Sequence, residues 1–219
     1  IAWKDQIVGR LTGGVSGLLK RAKVKVVAGH ARFRDGKTVE VDTETGLQVI
    51  RAETVVIATG SVPVELPFLP FGDRVISSTE ALSLTTVPDR FVVVGAGYIG
   101  LELGTAFAKL GARVTVVESQ PRILPLYDAE LTRPAAKRLD ELGVEVLTGA
   151  KARGLARGGD GLVIETADGE ERTLPADKIL VTVGRKPATQ GWGIEELVLD
   201  MHGPFISVGD RCQASMRGV

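Results

Sequence analysis

The chain has 219 residues, 44% of them hydrophobic, which is enough apolar material for one large domain or two smaller ones. Lys plus Arg and Asp plus Glu both number 27, so the net charge is zero and gives no general field for holding nucleic acid or an anionic membrane. The single cysteine, Cys212, excludes an intrachain disulfide framework and a four-cysteine metal site, and it favours a reducing, cytoplasmic compartment. No apolar run reaches the roughly 18 residues of a membrane span.

The first part of the chain is predicted to form one helix followed by short strands. Apolar residues recur at steps of three and four over 2–21, which is typical of an amphipathic helix. Strand patterns separated by Gly-containing turns predict a small antiparallel meander. An apolar β-branched run, 54–58, is expected to be a strand that leads into a turn of small residues. The predicted meander strands are 24–29, 30–35, 38–42 and 48–52.

From Arg90 the pattern changes to alternating strands and helices, after a capping box at 77–80. The first helix covers 98–110, and the second ends at Gly143 and begins at either Asp128 or Thr132. A βαβαβ order predicts an α/β fold with a parallel sheet and right-handed crossovers. The predicted strands are 91–95, 112–119 and 144–149, then three short strands at 152–157, 161–166 and 171–175, and a last apolar strand at 178–184.

The sequence Gly95-Ala96-Gly97-Tyr98-Ile99-Gly100 is a GxGxxG motif that follows an apolar strand and opens a helix. In that context the first glycine allows a tight turn, the second lets a pyrophosphate approach, and the third lets helix and strand pack closely. Glu118 ends the next strand, where a carboxylate can bind an adenine ribose hydroxyl. The alternative is a glycine turn needed only for packing, with Glu118 a solvated strand end.

The charge at Glu118 favours NAD over NADP, because a carboxylate repels a 2′-phosphate. Leu124 and Pro125 offer such a phosphate no partner. Arg113 and Arg122 are near in sequence, and either is a possible phosphate partner that would permit NADP.

Several motifs together resemble the flavin- and NAD-dependent disulfide oxidoreductases, and this resemblance covers nearly the whole chain. In the family order they are AETVVIATGS (52–61), SSTEAL (77–82), VVVGAGYIGLELG (92–104), VTVVES (114–119), RILP (122–125), LVTVGRKPAT (180–189) and CQAS (212–215). The fold that this implies is a Rossmann-like NAD-binding domain, with a parallel sheet and an antiparallel meander, plus a partial FAD-binding lobe.

The resemblance implies cofactor-binding roles for individual residues and no catalytic or metal-binding residue. Tyr98 would lie against the flavin until nicotinamide binds, and Glu102 would face both rings. The residues alone, without the resemblance, favour Tyr98 as a partly buried aromatic and Glu102 as a solvated helix residue. The expected NAD contacts are Gly95, Ala96, Gly97, Tyr98, Ile99, Gly100, Glu102, Glu118, Ala152 and Gly184, and the expected FAD contacts are Ala31, Thr59, Gly60 and Ser61.

The branch of the family that the chain resembles most oxidises protein-bound dihydrolipoamide and passes the electrons through a disulfide and FAD to NAD. Its implied partners are 2-oxo acid dehydrogenase complexes, through their lipoyl domains, and a second copy in a homodimer. We expect 1–78 to be part of an FAD-binding lobe, 79–188 the NAD-binding domain, and 189–219 the segment that returns to the lobe.

The chain departs from the family pattern in lacking a second GxGxxG for FAD, a redox Cys-x-x-x-x-Cys pair and a dimerisation domain with a His–Glu pair. We therefore expect an internal fragment with an incomplete FAD site that is inactive by itself. The alternatives are another flavoprotein disulfide reductase or an NADH oxidase, and a non-catalytic NAD-binding module.

Overall fold

A computed structural model describes all 219 residues, which form two compact units. We call Ala2–Val62 together with Lys186–Val219 the meander unit, and Pro63–Arg185 the parallel-sheet unit. The assignment of FAD-binding and NAD-binding roles to parts of the chain stays a prediction. No helix is both long enough and apolar enough to cross a membrane.

The elements follow one another through mostly short connections. The helices are α1 (Ala2–Arg21), α2 (Ser78–Ala81), α3 (Tyr98–Lys109) and α4 (Ala129–Glu141), with a 3₁₀ turn at Ile194–Leu197. The strands are β1 (His30–Asp35), β2 (Thr38–Thr43), β3 (Gly46–Arg51), β4 (Ser61–Pro63), β5 (Val75–Ile76), β6 (Arg90–Val94), β7 (Arg113–Glu118), β8 (Glu145–Thr148), β9 (Lys151–Leu155), β10 (Gly161–Glu165), β11 (Glu171–Pro175), β12 (Lys178–Val181), β13 (Arg185–Pro187), β14 (Met201–His202) and β15 (Phe205–Ile206).

The sheet of the meander unit has three antiparallel strands in the order β1-β2-β3, as the alternating sequence predicts. In the turn between β1 and β2, the Asp35 carboxylate accepts hydrogen bonds from the backbone N–H groups of Lys37 and Thr38, both at 2.9 Å. These bonds, the one from Lys37 foremost, hold the pKa of Asp35 below its usual value. The turn that Asp35-Gly36 predicts is therefore closed by hydrogen bonds to the Asp35 carboxylate.

Two predicted strands of the meander unit are wrong. The segments 24–29 and 54–58 are apolar and β-branched, yet neither forms a strand. A strand needs a neighbour to complete its ladder of hydrogen bonds, and 54–58 makes a single bond of this kind, from Val55 N to Gly218 O at 2.8 Å. Val56 is 83% exposed. The helix α1, by contrast, has the predicted bounds, although none of its side chains is buried.

The parallel-sheet unit contains five parallel strands in the order β5-β12-β6-β7-β8. α3 and α4 connect β6, β7 and β8, which confirms the predicted βαβαβ order. The chain then reaches β12, on the other side of β6, through the antiparallel strands β9–β11. The strand order thus reverses at β6, and open α/β sheets bind ligands beyond the carboxyl ends of the strands at such a point.

Alternate residues of β6 enter two different hydrophobic clusters, because successive side chains of a strand point to opposite faces. Phe91 and Val93 pack with α3, where the Phe91 and Phe107 ring centroids are 4.4 Å apart. Val92 and Val94 pack with residues of β10 and β11. The central strand is therefore covered on both faces, which explains the unbroken apolar run from Phe91 to Val94.

The start of α2 follows from its capping residues, whereas α4 begins without a side-chain cap. Ser77 and Glu80 form the predicted capping box, in which the Ser77 N–H donates to Glu80 Oε2 at 2.8 Å. Of the two starts that the sequence leaves open for α4, the structure adopts the first, with Asp128 at the N-cap and Pro134 inside the helix.

Arg90 and Asp177 join the amino ends of the two central strands. The Arg90 N–H donates to Asp177 Oδ2 at 2.8 Å, and Arg90 Nη2 donates to Oδ1 at 2.6 Å. The hydrogen-bonded guanidinium lowers the pKa of Asp177. A carboxyl group with a lowered pKa in the folded state stabilises the fold above its unfolded pKa, and this stabilisation is lost as the pH falls through the folded pKa.

We expect Asp177→Asn to lower the free energy of unfolding by about 1 kcal/mol at neutral pH, because a charge-assisted hydrogen bond is weakened. The difference from wild type should shrink as the pH falls below about 4, where the wild-type carboxyl also becomes neutral. Urea denaturation at several pH values measures both effects. The matched control is Asp73→Asn, since Asp73 is fully exposed in its pair with Lys178 and should contribute little. An equal loss in both variants would contradict the prediction.

Candidate functional site

A cleft of about 900 Å³ lies in the parallel-sheet unit, beyond the carboxyl ends of β6, β7 and β12. This is the position that the reversal of strand order at β6 predicts for a ligand site. Its lining includes the glycine turn after β6, the end of β7, the loop 124–127, and residues of β9 and of the segment after β12. The cleft is large enough for a nucleotide-sized ligand.

Two glycines of the motif are required by close contacts. Gly95 has φ +102°, and a Cβ there would lie 2.7 Å from the carbonyl oxygen of Thr182. A Cβ on Gly100 would lie 2.2 Å from the carbonyl oxygen of Gly95. Both distances are far below van der Waals contact. The first glycine therefore permits the turn and the third permits the helix to pack against it, as the sequence predicts.

Gly97 is the N-cap of α3, and its surroundings are open. No side chain caps the helix, and a Cβ on Gly97 would meet no atom within 4 Å. The N–H groups of the first helical turn have no acceptor within the helix, and they carry the positive end of the helix dipole. Open space beside such N–H groups fits a pyrophosphate.

Glu118 is 7% exposed and is held by backbone N–H groups. Its Oε2 accepts from the Ala96 N–H at 2.7 Å, and its Oε1 accepts from the Gln120 N–H at 2.7 Å and from Ser119 Oγ at 3.3 Å. Each carboxylate oxygen can accept two hydrogen bonds, so Oε2 retains one lone pair for a ligand hydroxyl. Glu118 thus holds the glycine turn by a hydrogen bond and also lines the cleft.

The structure brings together seven of the ten residues predicted to bind NAD. Ala96 and Gly100 are buried behind the cleft surface, and Glu102 is exposed on α3 outside the lining. The residues that line the cleft are Gly95, Gly97, Tyr98, Ile99, Glu118, Ala152 and Gly184. The residues predicted to contact FAD, which are Ala31, Thr59, Gly60 and Ser61, are exposed in the meander unit.

Basic side chains line one part of the cleft. Arg153 forms an ion pair with Glu165 and lowers the pKa of that carboxyl group, whereas Lys151 is an exposed cation of the same strand. The two arginines considered for NADP are placed differently. Arg113 begins β7, about 16 Å along the strand from Glu118, and Arg122 Nη2 donates to Pro125 O at 2.9 Å. Arg113 is therefore too far from Glu118 to bind a 2′-phosphate there.

Among the cleft residues that the sequence does not predict are two that contact the glycine turn. The Thr182 hydroxyl lies 3.1 Å from the carbonyl oxygens of Val94 and Gly95. The Leu124 N–H donates to the carbonyl oxygen of Ala96 at 2.9 Å, and Leu124 adopts φ +47°. Thr182 could have been noticed because it is a polar residue within the apolar run 178–184. The positive φ of Leu124 could not be predicted, because leucine rarely adopts it.

The match to a family model extends over residues 3–219 and carries the description pyridine nucleotide-disulphide oxidoreductase. The chain therefore belongs to this family of oxidoreductases, whose members use a pyridine nucleotide and FAD as cofactors. This confirms the family, the fold class and the two cofactors that the sequence motifs predict.

Among individual proteins, the chain is similar to dihydrolipoyl dehydrogenases. It is 54% identical to that of Pseudomonas aeruginosa over the whole chain and 47% of the relative, and 43% identical to that of Geobacillus stearothermophilus over 99% of the chain and 47% of the relative. The solved structure of LpdA from Mycobacterium tuberculosis matches with a TM-score of 0.85 and 27% identity, over 97% of this chain and 48% of the other. The HOCl-induced flavoprotein disulfide reductase RclA from Escherichia coli matches with a TM-score of 0.85 and 25% identity, over 98% of this chain and 49% of the other. The chain thus spans about half the length of the relatives it matches.

Proposed function

We propose that the parallel-sheet unit binds NAD in the cleft at the carboxyl ends of β6, β7 and β12. The observation that carries this proposal is the open space beside Gly97 at an uncapped helix N-terminus, next to a buried carboxylate at the end of β7. Helix N-terminal N–H groups bind a pyrophosphate, and a carboxylate at the end of the next strand binds an adenine ribose hydroxyl. The family membership supports the same cofactor.

The chain's own residues would act by binding and orientation. The N–H groups at the start of α3 would hold the pyrophosphate, and the free lone pair of Glu118 Oε2 would accept a hydrogen bond from a ribose hydroxyl. Tyr98 is 59% exposed at the mouth of the cleft, so its ring is free to move aside when a nicotinamide enters. NAD, when bound, accepts a hydride.

For the whole protein we propose dihydrolipoyl dehydrogenase activity, in which electrons pass from protein-bound dihydrolipoamide through a disulfide and FAD to NAD. The identity of 54% to a curated dihydrolipoyl dehydrogenase supports this activity. The partners would then be 2-oxo acid dehydrogenase complexes, through their lipoyl domains, and a second copy in a homodimer. Ala31, Thr59, Gly60 and Ser61 would contribute to the FAD site.

A second candidate is a flavoprotein disulfide reductase that acts on another substrate. The match to RclA, whose TM-score of 0.85 equals that of LpdA, supports this second candidate. Both candidates use the same cleft, so binding of NAD does not distinguish them. An assay of the whole protein with dihydrolipoamide does.

We expect the 219-residue chain to bind NADH at least about tenfold more tightly than NADPH, because a 2′-phosphate would approach the buried charge of Glu118. Titration of each cofactor by its fluorescence gives the two dissociation constants. In Glu118→Gln the charge is lost, and the ratio of the two constants should fall toward one. The ratio is the informative quantity, since the same substitution also loosens the glycine turn and weakens binding of both cofactors.

The matched control is Glu145→Gln, which removes a carboxylate at the start of β8, where Thr115 and Arg172 donate to it and no part of it lines the cleft. This variant should keep the wild-type ratio. Equal affinities of the wild-type chain for NADH and NADPH would refute the charge argument.

A further inference from the structure

We propose that Thr182 is a positioning residue that fixes the Gly95–Ala96 peptide group and so sets the N–H groups that receive the dinucleotide. This inference rests on the proposed binding of NAD in the cleft. It concerns a residue that does not belong to the glycine motif and stands 82 positions after its last glycine.

The oxygen of the Gly95–Ala96 peptide faces Thr182. The Thr182 N–H donates to Val94 O at 2.8 Å, continuing the ladder between β12 and β6. Its hydroxyl lies 3.1 Å from both Val94 O and Gly95 O. Since the backbone N–H already serves Val94 O, the hydroxyl is the donor available to Gly95 O, the first carbonyl of the turn.

The hydrogen of the same peptide faces Glu118. The Ala96 N–H donates to Glu118 Oε2 at 2.7 Å, and Ala96 is fully buried. The peptide is thus held from both sides, by a hydroxyl after β12 and by a carboxylate at the end of β7. A flipped peptide would place its oxygen against the Glu118 carboxylate, which cannot donate, so the carboxylate selects the orientation and the Thr182 hydroxyl adds a hydrogen bond that holds it.

The Thr182 side chain also sets the position of α3. A Cβ on Gly100 would lie 2.5 Å from Thr182 Oγ1, so the hydroxyl fills the space that the third glycine leaves beside the turn. Gly97, the N-cap, lies between the held peptide and Gly100. The direction of the first N–H groups of α3 therefore depends on Thr182, although Thr182 need not touch the ligand.

The test uses the 219-residue chain with Thr182→Val, which removes the hydroxyl and keeps the shape, and Thr182→Ser, which keeps the hydroxyl. Thr115→Val is the control, because the Thr115 hydroxyl donates to Glu145 on the same sheet, away from the turn. Two quantities are measured: the dissociation constant for NADH, and the hydrogen-exchange rate of the Ala96 amide by NMR in the ligand-free chain.

We expect Thr182→Val to raise both quantities about fivefold, the effect of losing one net hydrogen bond, with Thr182→Ser and Thr115→Val close to wild type. A merely structural role would lower the stability of the whole chain and would raise exchange at all amides of the sheet. Unchanged exchange at Ala96 in Thr182→Val, or a Thr182→Ser variant as weak as Thr182→Val, would overturn the inference.

The two readouts keep this inference separate from the proposed function. If the wild-type chain does not bind NADH, the proposed function fails, and the exchange rate of Ala96 still decides whether Thr182 holds the peptide. If Thr182→Val does not fold, Thr182→Ala replaces it, because the smaller side chain also lacks the hydroxyl and cannot crowd Gly100.

Discussion

Replacing Gly100 by alanine is expected to destabilise the chain by about 3 kcal/mol and to abolish measurable binding of NADH. The added Cβ would lie 2.2 Å from Gly95 O, 2.5 Å from Thr182 Oγ1 and 3.0 Å from Val93 Cγ1. The closest of these atoms is backbone, so it cannot move without opening the glycine turn. Urea denaturation and NADH titration of the same preparation measure the two losses.

Two other glycines of the same helix region provide matched substitutions. Gly104→Ala should stabilise α3 by about 1 kcal/mol, because alanine is the better helix former and the new Cβ would sit 3.5 Å from Val114 Cγ1 and Val93 Cγ2. Gly97→Ala should leave stability near wild type but weaken NADH binding, since its methyl group would point into open space where the pyrophosphate is proposed to lie. A Gly100→Ala chain as stable as Gly104→Ala would contradict this account.

The GxGxxG motif could be interpreted from sequence because of the two patterns on either side of it. The motif follows a strand whose last four residues, Phe91 to Val94, are all apolar, and it precedes a helix with a regular apolar face. A fully apolar strand is typical of a parallel sheet covered on both sides, and this covering is what the two clusters around β6 provide. The order of β6, β7 and β8 therefore followed from patterns within the sequence.

Other features of the site depend on contacts between distant segments. Thr182 reaches the glycine turn only because β12 pairs with β6, after the chain has passed through α3, α4 and the strands β9–β11. The sequence signals that a threonine interrupts an apolar strand, but it does not indicate which turn the hydroxyl meets. The predictions of strands at 24–29 and 54–58 are wrong because local β-propensity does not provide a neighbouring strand.

The chemistry of dihydrolipoamide oxidation sets a requirement that the 219 residues do not meet by themselves. Two thiols of the substrate become a disulfide, and the two electrons pass first to an enzyme disulfide, whose two cysteines are reduced. A base must also take a proton from the incoming thiol, because a thiol with a pKa near 8.5 is mostly protonated at neutral pH. The sequence contains one cysteine, Cys212, and two histidines.

We therefore expect the 219-residue chain, saturated with NAD and FAD, not to reduce NAD with dihydrolipoamide. Cys212 is an exposed free thiol without a second cysteine to form a disulfide. Neither histidine is held as a buried base: His30 is exposed with its Nε2 3.0 Å from Gly191 O, and His202 is exposed in β14. The measurement follows NADH absorbance after addition of dihydrolipoamide, and Cys212→Ser is the control, which should give the same baseline. Turnover that disappears in Cys212→Ser would show that this cysteine takes part in the reaction, and the expectation would then be wrong.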